Sequence, residues 1–304
     1  MMKKVKGLGF ILSILAVFLL AACGGSDDES TGEDGETNYS EAVDYTIIGI
    51  EPGAGISVAT ENALEEYENL DGWDVEMSST GAMMSELGTA IENEEPIVIT
   101  GWNPHWMFAL YPDMKYLEDP QEIYGGEETL NSLARLGLED DNPDAYQFID
   151  QFEWEVEDME EIMYEAEETG EDIEDVAVQW VEDNQDRVDA WAEGVNEGNG
   201  AEIELASTPW DSERASSNVV KAAMEQHGFE VTVTEVDVAV VFESVASGDV
   251  DATLAAWLPL THSEFYEANQ DNFEDLGPNL EGAKIGLVVP EYMDIDSIED
   301  LEAN

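Results

Sequence analysis

Basic side chains are nearly absent from this chain. Nine Lys and Arg stand against 73 Asp and Glu, a formal net charge of -64 at pH 7. Three of the nine, Lys3, Lys4 and Lys6, sit at the N-terminus, where the first 22 residues carry no acid. The rest of the chain therefore holds six basic against 73 acidic side chains, a formal charge near -67. Such a field repels phosphate backbones and anionic lipid, which excludes nucleic acid and acidic membrane surfaces as partners. Cysteine is scarcer still. Cys23 stands alone, so no disulfide can form within the chain and the fold must rest on its core. The three histidines, His105, His227 and His262, are far apart in sequence, and no cysteine accompanies them beyond residue 23. There is no G-x-S-x-G, H-E-x-x-H, P-loop or G-x-G-x-x-G, so neither a hydrolytic nor a nucleotide site is positioned. No D-x-D-x-D-G loop points to calcium. The expectation is a protein that is not an enzyme and has no metal and no cofactor. An acid excess of this size often accompanies disorder, but 43% hydrophobic residues with clear periodicity argue for a folded chain. A carboxylate-covered surface instead fits adaptation to high salt, where ions screen its self-repulsion.

What is present begins with location. An apolar run from Gly7 to Ala22 follows the three lysines, the layout of an export signal. It is short of the about 20 apolar residues a membrane span needs. It ends in Leu20-Ala21-Ala22-Cys23, a lipobox in which the thiol is lipidated and the chain is cut just before it. Residues 1–22 are thus expected to be a signal peptide. Residues 23–43 are expected to be the lipidated cysteine and a flexible acidic linker. Acyl chains anchor at about 0.8 kcal/mol per buried methylene, which would hold the protein at the extracellular face of the cell membrane.

Beyond the linker, hydrophobic spacing alternates between strand and helix. Tyr45–Ile50 reads as a strand, Ile56–Tyr67 as a helix, Trp73–Ser79 as a strand, Ala82–Glu92 as a helix and Pro96–Trp102 as a strand. The same order returns as Ala201–Ser207, Ser212–Gln226, Glu230–Val236, Val240–Ser247 and Asp251–Trp257. Ile48 and Ile203, Trp102 and Trp257, and Pro104 and Pro259 are each 155 residues apart. The pattern predicts two copies of one α/β unit facing each other across a cleft, with ligands beyond the carboxyl ends of the strands. Residues 121–197 read as mostly acidic helix, in which Trp180, Val188 and Trp191 recur at core spacing. Met114–Pro120 and Ala283–Pro290 each follow a Trp-x-Pro corner and are expected to cross into the opposite lobe.

Aromatic residues gather at strand ends. Trp102 and Trp106 mark one corner, Trp257 the matching corner, and Trp210 follows the first strand of the second repeat. Indole faces carry negative charge density, so Trp102, Trp210 and Trp257 facing one volume would attract a cation, best a quaternary ammonium. Pro52-Gly53-Ala54-Gly55-Ile56 lies between a strand and a helix, where unpaired amides attract an anion, although a tight turn explains it equally. His262, five residues past Trp257, could donate to the same anion or serve structure alone. A cage for a cation beside a nest for an anion describes a small zwitterion.

The stretches "PGAGI", "ITGWNPHWMF", "KYLEDP", "WDSE", "AAWLP" followed by "TH", and "GLVVPEYM" with "SIEDL" resemble the glycine betaine-binding lipoproteins of bacterial osmoprotectant ABC importers. The resemblance runs from about Tyr45 to Leu301. It implies a two-lobed, periplasmic-binding-protein-like (type II) fold with the ligand in the inter-lobe cleft. Lobe 1 would comprise residues 44–112 with 284–304, and lobe 2 residues 113–283. It implies that Trp102, Trp210 and Trp257 form an ammonium prism, and that the amides of Gly55 and Ile56 with the His262 side chain hold the carboxylate. His105 and Trp106 match the motif as support. The implied partners are glycine betaine and a membrane permease, with the binding protein a monomer. Proline betaine, ectoine, choline or carnitine are the alternative ligands.

Overall fold

The structure, a computed structural model, describes residues 37–304. The expected signal peptide, Cys23 and the linker up to residue 36 lie outside the described residues. Among the described residues no helix is long and apolar enough to cross a membrane.

After a helical turn, α1 (Tyr39–Ala42), the first repeat runs β1 (Thr46–Gly49), α2 (Gly55–Glu66), β2 (Asp74–Met77), α3 (Thr80–Asn93) and β3 (Ile99–Asn103). A middle segment follows with α4 (Met107–Leu110), β4 (Met114–Tyr116), β5 (Glu128–Arg135), α5 (Leu138–Asp141), α6 (Pro143–Asp150), α7 (Val156–Thr169), α8 (Ile173–Asp183) and α9 (Gln185–Trp191). The second repeat is β6 (Glu202–Ser207), α10 (Asp211–Gln226), β7 (Glu230–Glu235), α11 (Val238–Ser247) and β8 (Ala252–Leu258). Helix α12 (Ser263–Asn269) and the long strand β9 (Phe273–Pro290) follow it.

Local signals explain the element ends. The Ser79 hydroxyl accepts from the Ala82 amide at 3.2 Å to start α3, and Gly248 closes α11 with φ 78°. In each repeat the first strand lies between the other two, all parallel, giving β2-β1-β3 and β7-β6-β8. Strands β3 and β8 are buried along nearly their whole length, as apolar strands covered on both faces are. The two sheets meet on β9. Its first part, Phe273–Ala283, pairs antiparallel with β5, and its second part, Lys284–Pro290, pairs antiparallel with β3 and β4. The molecule is therefore two α/β halves joined along one strand, a periplasmic-binding-protein-like arrangement with a cleft between the halves.

Three details differ from the sequence reading. Glu128–Arg135 is a strand where acidic helix was expected; Leu130, Leu133 and Ala134 are buried between β8 and β9, and tertiary pairing overrides weak strand propensity. Met114–Tyr116 stays in the first sheet against Val288–Pro290, so of the two segments expected to cross, only the β9 segment does so as a strand. The linker also gives way to folded chain before residue 43. Tyr39 and Val43 pack on the core, and the buried Ser40 hydroxyl accepts from the Glu302 amide at 2.8 Å. Two apolar side chains in an otherwise polar stretch are enough to dock it.

Candidate ligand-binding site

The carboxyl ends of β3, β6 and β8 and the starts of α2 and α10 converge on a cavity of about 350 Å³, part of it open to solvent. The structure brings Gly55, Ile56, Trp102, Trp210, Trp257 and His262 together on its walls, with Ser212, Glu213 and Thr261 beside them. Each half supplies the same positions of its repeat: the end of the third strand, and the turn from the first strand into the first helix. Brought to one volume, these are residues from four separate stretches of chain.

Each indole is held by a defined contact. The Trp102 ring stands perpendicular to the His105 ring at 4.5 Å between centroids. The Trp257 Nε1–H donates to Glu213 Oε1 at 2.7 Å, and the Trp210 Nε1–H to Glu51 Oε2 at 3.4 Å. With their N–H edges tied to carboxyl groups, Trp210 and Trp257 are fixed in the orientation in which they border the cavity. Three indoles and few hydrogen-bonding groups make a wall suited to an apolar cation.

Another part of the lining is backbone. Ala54 is the N-cap of α2 and has no side-chain oxygen, so no side chain caps the helix, and its first turn carries no acid. The Gly55 and Ile56 amides have no acceptor among the described residues. The N-terminus of a helix with free amides and no competing carboxylate is a ready anion site. His262 stands on the same cavity with Nδ1 accepting from the Trp257 amide at 3.1 Å, which leaves the proton of the neutral ring on Nε2 as a donor. Burial lowers its pKa to about 3, so it is neutral at physiological pH.

The halves lie closed on each other. A Cβ at Gly55 would come within 2.2 Å of the Thr261 carbonyl oxygen, so only glycine permits this approach. Glu128, itself buried, shapes the turn on the other side: it accepts from the Leu260 and Thr261 amides, each at 2.8 Å, and from the Thr261 hydroxyl. The Trp106 Nε1–H reaches Asp211 Oδ2 at 3.1 Å, a second link between the repeats beside Trp210–Glu51. The other two histidines are elsewhere. His105 is buried behind Trp102, its Nδ1 accepting from the Met107 amide at 3.0 Å, and burial lowers its pKa to about 3 as well. His227 caps the end of α10.

Sequence reading missed Glu51, Glu128, Glu213 and Thr261. Glu213 follows Trp210 by three residues and looks like an ordinary helix-start acid. Among 73 acids nothing distinguished it.

The family model "Substrate binding domain of ABC-type glycine betaine transport system" matches residues 30–183 and 201–304. A protein of Listeria monocytogenes named "Glycine betaine/carnitine transport binding protein GbuC" is 45% identical over 296 residues, 97% of each chain. Two solved structures are also similar. Lactococcal OpuAC in its closed-liganded conformation with glycine betaine is 46% identical over 50% of this chain and 59% of the other, with a TM-score of 0.48. A glycine betaine, L-proline-binding protein (ProX) from Borrelia burgdorferi is 35% identical over 50% of this chain and 57% of the other, with a TM-score of 0.47. The chain belongs to the family of substrate-binding domains of ABC-type glycine betaine transport systems, which are binding proteins and not enzymes.

Proposed function

We propose that this protein captures glycine betaine in the cavity between its halves and delivers it to a membrane ABC importer, accumulating the solute for osmoprotection. The observation that carries this reading is the pairing of unlike walls on one cavity. Three indoles, Trp102, Trp210 and Trp257, offer faces for a trimethylammonium, and the Gly55 and Ile56 amides with His262 offer donors for a carboxylate. Methyl groups shed water at little cost, while the carboxylate exchanges water for fixed donors without moving them. A zwitterion has no net charge, so the acidic field neither attracts nor repels it at long range. Choline carries the cation but has no anion for the amide wall. Carnitine, named with betaine for the Listeria relative, has both charges on a longer frame.

The same reading includes the N-terminal export signal and lipidated Cys23, which would tether a monomeric binding protein at the outer face of the cell membrane. It also takes the acidic surface as adaptation to salt. The test is intrinsic tryptophan fluorescence titrated with glycine betaine, carnitine and choline in molar salt. Betaine is expected to shift the emission saturably and to bind well above choline. Unchanged emission with betaine, or choline equal or tighter, would overturn the assignment of the two walls.

A further inference from the structure

Glu213 is the one acid among the residues that line the cavity, and holding the Trp257 N–H does not need it to be charged. It lies in the first turn of α10, is 3% exposed, and touches the cage directly. Oε1 accepts from Trp257 Nε1–H at 2.7 Å, and Oε2 lies 2.7 Å from the Ser212 hydroxyl, which donates to it. Among the described residues no cation partners it: Arg214, the next residue on the helix, is engaged with Asp172, Asp211 and Glu235. A buried carboxyl among indoles with no counter-ion is costly to ionise unless a positive group enters the same volume.

We propose that Glu213 is a positioning residue whose carboxylate serves as counter-ion to the ligand's ammonium, so that capture of a quaternary ammonium expels a proton from it to solvent. The proposal rests on the reading of the cavity as a betaine site. Before binding, the carboxyl shares its oxygens between Trp257 and Ser212 in its neutral form. When the trimethylammonium enters, the O–H bond of the carboxyl breaks, the proton leaves as the site opens and closes, and the carboxylate remains behind the Trp257 ring. Its hydrogen bond to Nε1 then enriches the indole π-system that faces the cation.

The surroundings support an uncharged resting state. Burial raises the Glu213 pKa to about 7, against the hydrogen bonds from Ser212, Trp257 and its own amide that lower it and with a small push upward from Asp211. His262, at the end of β8, is held neutral by burial and does not titrate near that pH. Glu128 lies behind the same turn and is engaged by Leu260 and Thr261, and Glu51 across the cleft accepts from Trp210. Neither supplies a positive charge. On the other side of the repeat, Asp172 at the start of α8 and Glu235 at the end of β7 are occupied with Arg214.

The sign follows from linkage. If the free carboxyl titrates near 7 and the bound one well below 6, affinity rises by roughly tenfold between pH 6 and pH 8 and then levels off. Calorimetry of the wild-type protein with glycine betaine, in buffers of different ionisation enthalpy, should show release approaching about one proton at pH 6 and little at pH 8. Glu213→Gln keeps an acceptor for Trp257 but cannot ionise. It should bind more weakly than the wild type at both pH values, with the gap widening by about tenfold from pH 6 to pH 8, and exchange no proton at either. Wild-type binding with no proton release, or the same pH profile in Glu213→Gln, would overturn the proposal. Should the variant not fold, proton release by the wild type decides alone. Absence of betaine binding at every pH is a separate result, which would remove the cavity assignment and this inference with it.

Discussion

Helices α2 and α10 occupy the same place in the two repeats, each following the first strand and each opening on the cavity, yet their first turns are chemically opposite. At α2 the N-cap is Ala54, the first turn holds no acid, and the Gly55 and Ile56 amides are free. At α10 the N-cap is Trp210 and the first turn carries Asp211 and Glu213. Both helices place the positive end of their dipole at the cavity. At α10 that end is answered from within the protein by two carboxyls, and at α2 it is left for a ligand. On the function proposed above, the two repeats would present an anion pole at α2 and a cation pole at α10, and the helix start without acids would set the orientation of a zwitterion.

Variants at the two poles can break this comparison. The largest effect is expected from Gly55→Ala, whose Cβ would meet the Thr261 carbonyl oxygen at 2.2 Å. The halves could not reach this closed state, and betaine affinity should fall by a hundredfold or more, about 3 kcal/mol of overlap. Small-angle scattering checks it: the variant should not contract on adding betaine, and a normal contraction would show that closure does not depend on this contact.

Removing one wall at the cation pole comes next. Trp257→Ala should weaken betaine and choline alike by about 30-fold, roughly 2 kcal/mol for a desolvated cation–π contact. Calorimetry with both ligands reads the ratio, and a loss confined to betaine would place Trp257 on the anion side. Thermal melts of the ligand-free variant separate lost binding from lost folding, because Trp257 is also a buried side chain.

The smallest and most discriminating change makes α2 resemble α10 in having its own cap. Ala54 has extended backbone geometry, φ -64° and ψ 143°, suited to a capping side chain. Ala54→Ser should raise ligand-free stability by about 1 kcal/mol while weakening betaine about fivefold and leaving choline unchanged. Denaturant melts and calorimetry should therefore move in opposite directions. Parallel movement would mean that the α2 amides are not what the ligand uses.

Much of this architecture was legible because hydrophobic periodicity is a local signal. The five elements of each repeat appear where the spacing placed them, and the 155-residue offset corresponds to the same strand order in both sheets. Strand β5 was not legible. Glu-Thr-Leu-Asn-Ser-Leu-Ala-Arg has little strand character of its own, and it is extended because β8 and β9 offer it partners on both sides. Glu213 escaped for a related reason. An acid at a helix start is ordinary in a chain with 73 of them, and only the folded chain sets this one against Trp257 inside an aromatic cavity. His105 and His262 also look alike in sequence, each a few residues past a Trp-x-Pro corner. The fold buries one behind Trp102 and turns the other to the cavity.

By itself the sequence determined the two repeats, the identity of the aromatic corners and the lack of a disulfide within the chain, since each depends on residue type and near spacing. The tertiary structure decided which of those groups share a volume, which helix start stays uncapped, and how near Gly55 lies to Thr261. Those are matters of distance between residues tens to hundreds apart in the chain, and packing the two sheets along β9 is what sets them.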